Sequence, residues 1–291
     1  MMKRINSLYF SGTGTTRKVV LALAKSLAAK MEESVELLEM DFSLPEARKQ
    51  SPQFTEEDLV IVGLPVYAGR VPNVLLKYLN GLQGDGAQAV AVVLYGNRNF
   101  DDALIELTDI LSDRGFKVMA GGAFIGEHSF STILAKGRPD ESDMNKVETF
   151  AEEILDKISQ NADFRTLHVP GEKPYRPYYQ PKDRYGNSFD FRLITPKTDK
   201  ELCVDCKHCA EICPIGSISF EDTSVMTGIC IKCCACVKGC PTGAKYFDDE
   251  NYLKHQHELE EIYAERRELE TFFKPNISSL DWAWIEGGVL L

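Results

Sequence analysis

Cysteine is missing from residues 1–202 and from 241–291; all nine lie between 203 and 240. A secreted disulfide scaffold spreads its cysteines over the fold it staples, so this clustering excludes that class. Clustering at C-x-x-C spacing, with no signal peptide, points instead to metal. Positive charge is short: 33 Lys and Arg stand against 44 Asp and Glu, a formal charge of −11. Nucleic acid is therefore not the expected partner, since phosphate binding needs a basic face. An acidic surface favours basic docking partners. No uninterrupted apolar stretch approaches the ~18 residues of a membrane helix, so no membrane insertion is expected. The opening MMKRINSLYF runs straight into SGTGTT, without the apolar core and cleavage site of a secretory leader. A cytoplasmic location is expected. No Ser–His–Asp set or adjacent carboxylate pair stands out, and no catalytic residue is assigned.

Within 203–240 the pattern C-x2-C-x2-C-x3-C-P occurs twice. Cys203, Cys206, Cys209 and Cys213 align with Cys230, Cys233, Cys236 and Cys240. Cys234 falls opposite Lys207, so its slot does not require sulfur, and it reads as a small buried hydrophobe. Structural zinc sites also use C-x2-C pairs, but two copies of the full run with its proline favour iron–sulfur. The run is that of bacterial ferredoxins. Three thiolates on a tight turn converge on one corner of a cubane, and the fourth reaches across to the other cluster. By that rule Cys203, Cys206, Cys209 and Cys240 hold one 4Fe-4S cluster, and Cys230, Cys233, Cys236 and Cys213 hold the second. Over roughly fifty residues the segment resembles two-cluster bacterial ferredoxins, which implies low-potential one-electron transfer.

Residues 1–165 alternate between strand-like and helix-like segments, which predicts a parallel sheet covered on both faces. Strands are expected at 5–10, 35–40, 58–63, 89–96 and 117–126, and helices at 15–31 and near 72–81, 100–114 and 143–160. The loop YFSGTGTTRKV (9–19) ends the first strand and opens the first helix. Its small residues let backbone close on a phosphate, with hydroxyls, free N–H groups and the helix dipole as donors. It is not the dinucleotide fingerprint, because Arg17 stands where the third glycine belongs, and it has no G-K-(S/T). Ser11 to Thr16 fit (S/T)-x-T-G-x-T, the flavodoxin loop. In a sheet of order 2-1-3-4-5 the ligand sits at the switch between strands one and three, where LPVYAGRVP (64–72) and YGNRNFDDAL (95–104) also arrive. About 160 residues resemble the flavodoxin family in all three loops, which implies FMN. The candidate cofactor contacts are Ser11, Gly12, Thr13, Gly14, Thr15 and Thr16; Pro65, Val66, Tyr67, Ala68 and Gly69; and Tyr95, Gly96, Asn97, Arg98 and Phe100. Tyr67 and Tyr95 offer stacking, where flavodoxins often use a Trp in the second loop. Arg70 and Arg98 would set positive charge near the ring, and His128 or Ser129 from the fifth-strand loop would touch flavin or substrate.

The expected fold class is α/β: a flavodoxin-like, doubly wound, five-stranded parallel sheet with a small α+β two-cluster ferredoxin domain. The expected divisions are 1–165 (FMN domain), 166–198 (a Pro- and Tyr-rich linker draped over a surface), 199–248 (ferredoxin domain) and 249–291. In the last, 250–273 reads as a helix with Leu259, Ile262, Tyr263, Leu269 and Phe273 on one face, stopped by Pro275. The tail with both tryptophans is expected to pack on the body. The acid run 247–250 reads as a solvated turn. The whole resembles the flavodoxin–ferredoxin fusions of anaerobes. That resemblance implies an electron-transfer oxidoreductase joining a low-potential redox protein to an acceptor. The alternatives are an FMN-dependent reductase of a small molecule or quinone, and a redox sensor.

Overall fold

The computed structural model describes residues 2–31, 33–159, 167–183 and 185–273. Strands β1 (Arg4–Tyr9), β2 (Glu36–Asp41), β3 (Asp58–Pro65), β4 (Gln88–Tyr95) and β5 (Lys117–Ile125) alternate with helices α1 (Thr15–Lys30), α2 (Leu76–Leu79), α3 (Ala103–Asp113) and α4 (Glu141–Ser159). All pairings among these five strands are parallel, in the order 2-1-3-4-5. β3 is a continuous apolar run buried on both faces, as a central parallel strand must be. Its side chains alternate: Val60, Val62 and Leu64 join the core under α3, while Leu59 and Ile61 join the core under α1 and α4. Gly63 allows α1 to approach, because a Cβ there would lie 2.2 Å from Val20. That close approach sets the start of α1, and with it the loop at 11–14, over the sheet's carboxyl edge.

The sheet has a sixth strand that the sequence reading did not contain. β8 (Glu270–Phe273) pairs antiparallel with β5, Ala120 opposite Phe273. Before it come the small elements β6 (Lys197–Thr198), α5 (His208–Glu211), α6 (Ala235–Lys238), β7 (Lys245–Tyr246) and helix α7 (Glu250–Ile262). The single helix expected over 250–273 is therefore a helix, a turn and a strand. Asp249 caps α7, accepting from the amides of Asn251 at 2.9 Å and Tyr252 at 3.1 Å, so the acid run starts a helix. The helix stops because Asn97 takes over the backbone beyond it. Its amide donates to the carbonyls of Tyr263 (2.7 Å) and Glu265 (2.8 Å) and accepts from Arg267 N–H (3.2 Å). Phe272 then packs on Phe100 and Phe273 on Phe150, on opposite faces. Ile262, expected inside, is 67% exposed. Pro275 and the tryptophan tail lie outside the described residues.

Residues 167–183 form a strap over α3 and the loop after β3. Asp102, fully buried at the start of α3, accepts from the amides of Glu172 (3.0 Å) and Arg176 (2.7 Å) and from the Arg176 guanidinium (Nε at 2.9 Å). The guanidinium holds the Asp102 carboxyl down at about 2. Arg70 lies between Tyr175 and Tyr178 and grips Glu106 with two bonds of 2.7 Å. Tyr178 Oη donates to Val71 O at 2.8 Å, and Tyr179 N–H to Ala68 O at 2.9 Å. Asp102→Asn removes the charge from the three Asp102 bonds described above. Hydrogen bonds to charged groups are worth about 1.5–3 kcal/mol, so amide exchange over 172–179 should quicken roughly ten- to hundredfold. Exchange unchanged by the substitution would mean that Asp102 does not hold the strap.

Candidate flavin and iron–sulfur sites

The two cysteine runs fold alike. Asp205 and Lys207 in the first, and Lys232 and Cys234 in the second, all take positive φ, between 53° and 62°. Each run thereby turns twice and ends in a one-turn helix, α5 or α6. The eight aligned cysteines line two cavities. One is lined by Cys203, Cys206, Cys209 and Cys240. The second is lined by Cys213, Cys230, Cys233 and Cys236, with Cys234 also on its wall. Each wall thus takes three thiols from one run and the fourth from the other. Soft thiols in groups of four, walled by apolar side chains such as Ile215, Ile218 and Ile231, fit the chemistry of iron–sulfur ligation. Burial pushes the Cys233 thiol up to about 12, so an iron charge is what would hold it deprotonated. Among the described residues, no three His, Cys, Asp or Glu side chains gather closely enough for a single metal ion. Cys234 is buried, its Sγ 3.4 Å from Tyr252 Oη.

The carboxyl edge of the sheet carries a cavity lined by Gly12, Thr13, Thr15, Thr16, Pro65, Val66, Tyr67, Tyr95, Gly96, Gly126, Glu127, His128, Ser129 and Cys233. Gly14 turns the loop with φ +87°. The amides of Gly12, Thr13 and Gly14 find no protein acceptor among the described residues, and those of Thr15 and Thr16 are in the helix's first turn, which has no internal acceptors. Threonine hydroxyls, unused amides and a helix N-terminus fit a phosphate. A larger cavity, about 800 Å3, continues past Tyr67, Tyr95 and Arg98. It is roofed by strap residues 178–181, by residues 188–192 and 229–232, and by α7. Val66, Tyr67, Tyr95, Gly96, His128 and Ser129 line both. An aromatic-walled slot next to a phosphate cradle fits FMN.

Several expected contacts are otherwise engaged. Asn97 is committed to residues 263–267, and Phe100 is core, packed on Tyr95 and Phe272. Arg70 is locked to Glu106 and to Arg176 O (2.6 Å), so its charge is spent under the strap. Ser11 does not line the cavity; its N–H donates to Ser43 Oγ (2.8 Å) and its Oγ accepts from Arg17 N–H (3.2 Å). Gly14 shapes the loop without lining the cavity. Ala68, Gly69 and Arg98 line the larger cavity, with Arg98 paired to Asp101 and lying over the Tyr179 ring. Burial pushes Tyr95 up to about 12, and raises Tyr67 together with the neighbouring charges of Cys233, Cys234 and Cys230. Burial lowers His128 to about 4, and its Nδ1 accepts from Phe130 N–H at 3.1 Å. A neutral ring whose Nδ1 accepts carries its proton on Nε2.

The sequence reading passed over Lys232, Tyr178, Tyr179, Phe191 and His255, which all line the larger cavity. The strap's tyrosines were a signal of packing. Nothing local marked His255, which stacks on Tyr179 while His257 faces outward.

The two halves meet at short range. A Cβ on Gly12 would lie 3.2 Å from Cys233 Cβ. Lys238 on α6 reaches into the loop after β5, pairing with Glu127 and donating to the carbonyls of His128 (2.8 Å) and Ser131 (2.9 Å). Arg48 donates to the carbonyls of Phe42 (2.8 Å) and Ser43 (2.6 Å) and to that of Pro214, which follows Cys213. The cavity of Cys213, Cys230, Cys233 and Cys236 therefore abuts the two cavities at the sheet edge, which Cys230 and Cys233 also line.

A 4Fe-4S binding domain model matches residues 196–219. That span contains the first cysteine run. Among solved structures, this chain is similar to a flavodoxin from the domain Archaea, with 17% identity, TM-score 0.38, and coverage of 54% of this chain and 99% of that one. It is similar to oxidised flavodoxin 2 from Bacillus cereus, with 20% identity, TM-score 0.39, and coverage of 53% and 99%. It is also similar to an NADH:FMN oxidoreductase in its apo form, with 16% identity, TM-score 0.38, and coverage of 53% and 88%. No curated protein matches the sequence.

Two substitutions test the sorting of the cysteines. Cys234→Ser should keep about eight irons per chain, the content of two cubanes. Cys240→Ser should lose roughly half the iron and leave the flavin spectrum unchanged, because its cavity lies away from the flavin site. Half the iron lost with Cys234→Ser would move that residue into the ligand set.

Proposed function

We propose that the protein is an electron-transfer iron–sulfur flavoprotein that links a low-potential carrier to an acceptor over two 4Fe-4S clusters and FMN. Cys203, Cys206, Cys209 and Cys240 hold the outer cluster in this reading, and Cys213, Cys230, Cys233 and Cys236 the inner one. The clusters supply one-electron steps, and FMN supplies exchange between single electrons and pairs. The observation that carries the reading is Cys233, which lines one cavity with the Thr13–Thr16 loop and another with Cys213, Cys230 and Cys236. The chain's own work is positional. Lys238 and Arg48 fix the inner cysteines against the sheet edge, and Gly12 leaves the gap that lets them approach.

A specific observation also favours a reductase of a small molecule. A surface carrier exposes its flavin edge to a protein partner, whereas here the strap and α7 roof a cavity lined by Tyr67, Arg98 and His128. Aromatic walls and a covered mouth suit an organic acceptor. His128, neutral with its proton on Nε2, offers that acceptor a hydrogen-bond donor.

An anaerobic reductive titration followed by visible absorbance tests the scheme. A strong low-potential reductant should bleach clusters and flavin together, while NADH and NADPH should leave both oxidised. Bleaching of the flavin by either nicotinamide would replace the proposed carrier with a direct hydride donor. Purified, reconstituted protein with no bound flavin would end the proposal.

A further inference from the structure

The larger cavity is cationic inside an acidic chain. Arg98, Arg192 and Lys232 line it against one carboxylate, Asp190. Arg98 pairs with Asp101 and Arg192 with Asp190. Lys232 differs from both. It is 5% exposed, and no carboxylate of the described residues forms an ion pair with it. Its Nζ donates to Cys230 O at 3.0 Å and lies 5.3 Å from the centre of the Phe191 ring. An ammonium has three donors, so one carbonyl and one aromatic face leave donor capacity unused. Cys230 and Cys233 on either side of it belong to the inner cluster in the reading above, so what Lys232 offers the cavity is its unused donors.

The cavity also has room. The phosphate cradle belongs to the smaller cavity, so the larger one need hold little more of the flavin than its ring. Its volume of about 800 Å3 is what a whole drug-sized ligand takes, about 300–1,000 Å3. Phe191 faces Lys232 with Phe189 packed against it, and Tyr179 lines the same cavity. An ammonium with unused donors matches a carboxylate, and aromatic walls match a planar skeleton.

We propose that this end of the cavity is a binding site for a small planar monocarboxylate, aromatic or conjugated, whose carboxylate is taken by the Lys232 ammonium. The inference rests on the reading of the roofed cavity as the acceptor's place, and it names that acceptor's class.

The test is calorimetry on the full, anaerobically reconstituted chain, with benzoate as probe and benzamide as its uncharged counterpart. Benzoate should bind and benzamide should bind roughly ten- to hundredfold more weakly, the difference expected for a charge-assisted hydrogen bond. Lys232→Met should reduce benzoate affinity by a similar factor, with iron and flavin content unchanged, and Lys232→Arg should restore most of it. Equal binding of benzoate and benzamide to the unsubstituted chain overturns the proposal without any variant. So does a Lys232→Met protein that shifts the flavin potential but binds benzoate normally, because the lysine would then serve the flavin. The outcome separates the two readings. Lys232-dependent benzoate binding by a chain that retains no flavin would keep the anion site and remove the FMN assignment. A flavin-loaded chain that ignores benzoate would do the reverse.

Discussion

The contact between Gly12 and Cys233 governs the rest of the arrangement. A parallel sheet delivers its loops to one edge, and the phosphate-cradling loop must lie there at the start of α1. The second cysteine run docks on that same edge, with Cβ-to-Cβ room of 3.2 Å at position 12. A Cβ at position 12 would crowd Cys233, which would have to give way by a few tenths of an ångström. Because the docking is close, Cys230 and Cys233 are walls of the sheet-edge cavities as well as of their own. The strap, Lys238 and Arg48 then act as struts that keep this one approach from opening.

The struts share a physical logic. Lys238 and Arg48 end on backbone carbonyls, and Asp102 on backbone amides as well as on Arg176. Backbone groups that belong to no helix or strand must still find partners when buried. A charged side chain that satisfies two or three of them at once fixes a loop without needing a core beneath it. Segments with no regular structure of their own, 126–131, 172–179 and the turn after Cys213, are held in this way.

The sheet order and the three loops at its edge were legible because each rests on local pattern: a buried apolar run, then small polar residues, then a helical period. Which cysteines share a cavity wall was legible because the run repeats. The sixth strand was not, and Leu269 and Phe273 explain why. Positions four apart share a face in a helix and in a strand alike, so that pair cannot separate the two periods. What decides it is Asn97, 166 residues upstream of Tyr263, whose amide takes the backbone out of the helix. The same long reach commits the Asn97 side chain to residues 263–267, although a Gly-Asn turn beside a cofactor loop reads locally as a ligand. Lys232 was invisible for a related reason. Its counterpart in the first run, Asp205, has nearly the same backbone conformation and is exposed. Docking against the 188–192 segment, where Phe191 meets its Nζ, and not local sequence, buries the lysine.

That docking also divides the charge of the cysteine-rich segment. Lys232 and Lys245 are buried and Lys238 is spent on the loop after β5, while Glu201, Asp205, Glu211, Glu221 and Asp222 remain exposed. The outer face is therefore more acidic than the composition of the segment, and it surrounds the exposed Cys206 and the 66% exposed Val204. A basic protein is drawn to such a face from a distance. A small anion is not, because the field of a chain of net charge −11 opposes its approach. It has to be held by direct contact inside, where the buried lysine is screened little by water or salt. On the function proposed above, outer and inner surfaces thus select by opposite sign, a protein partner meeting the outer cysteines and a small molecule the roofed cavity.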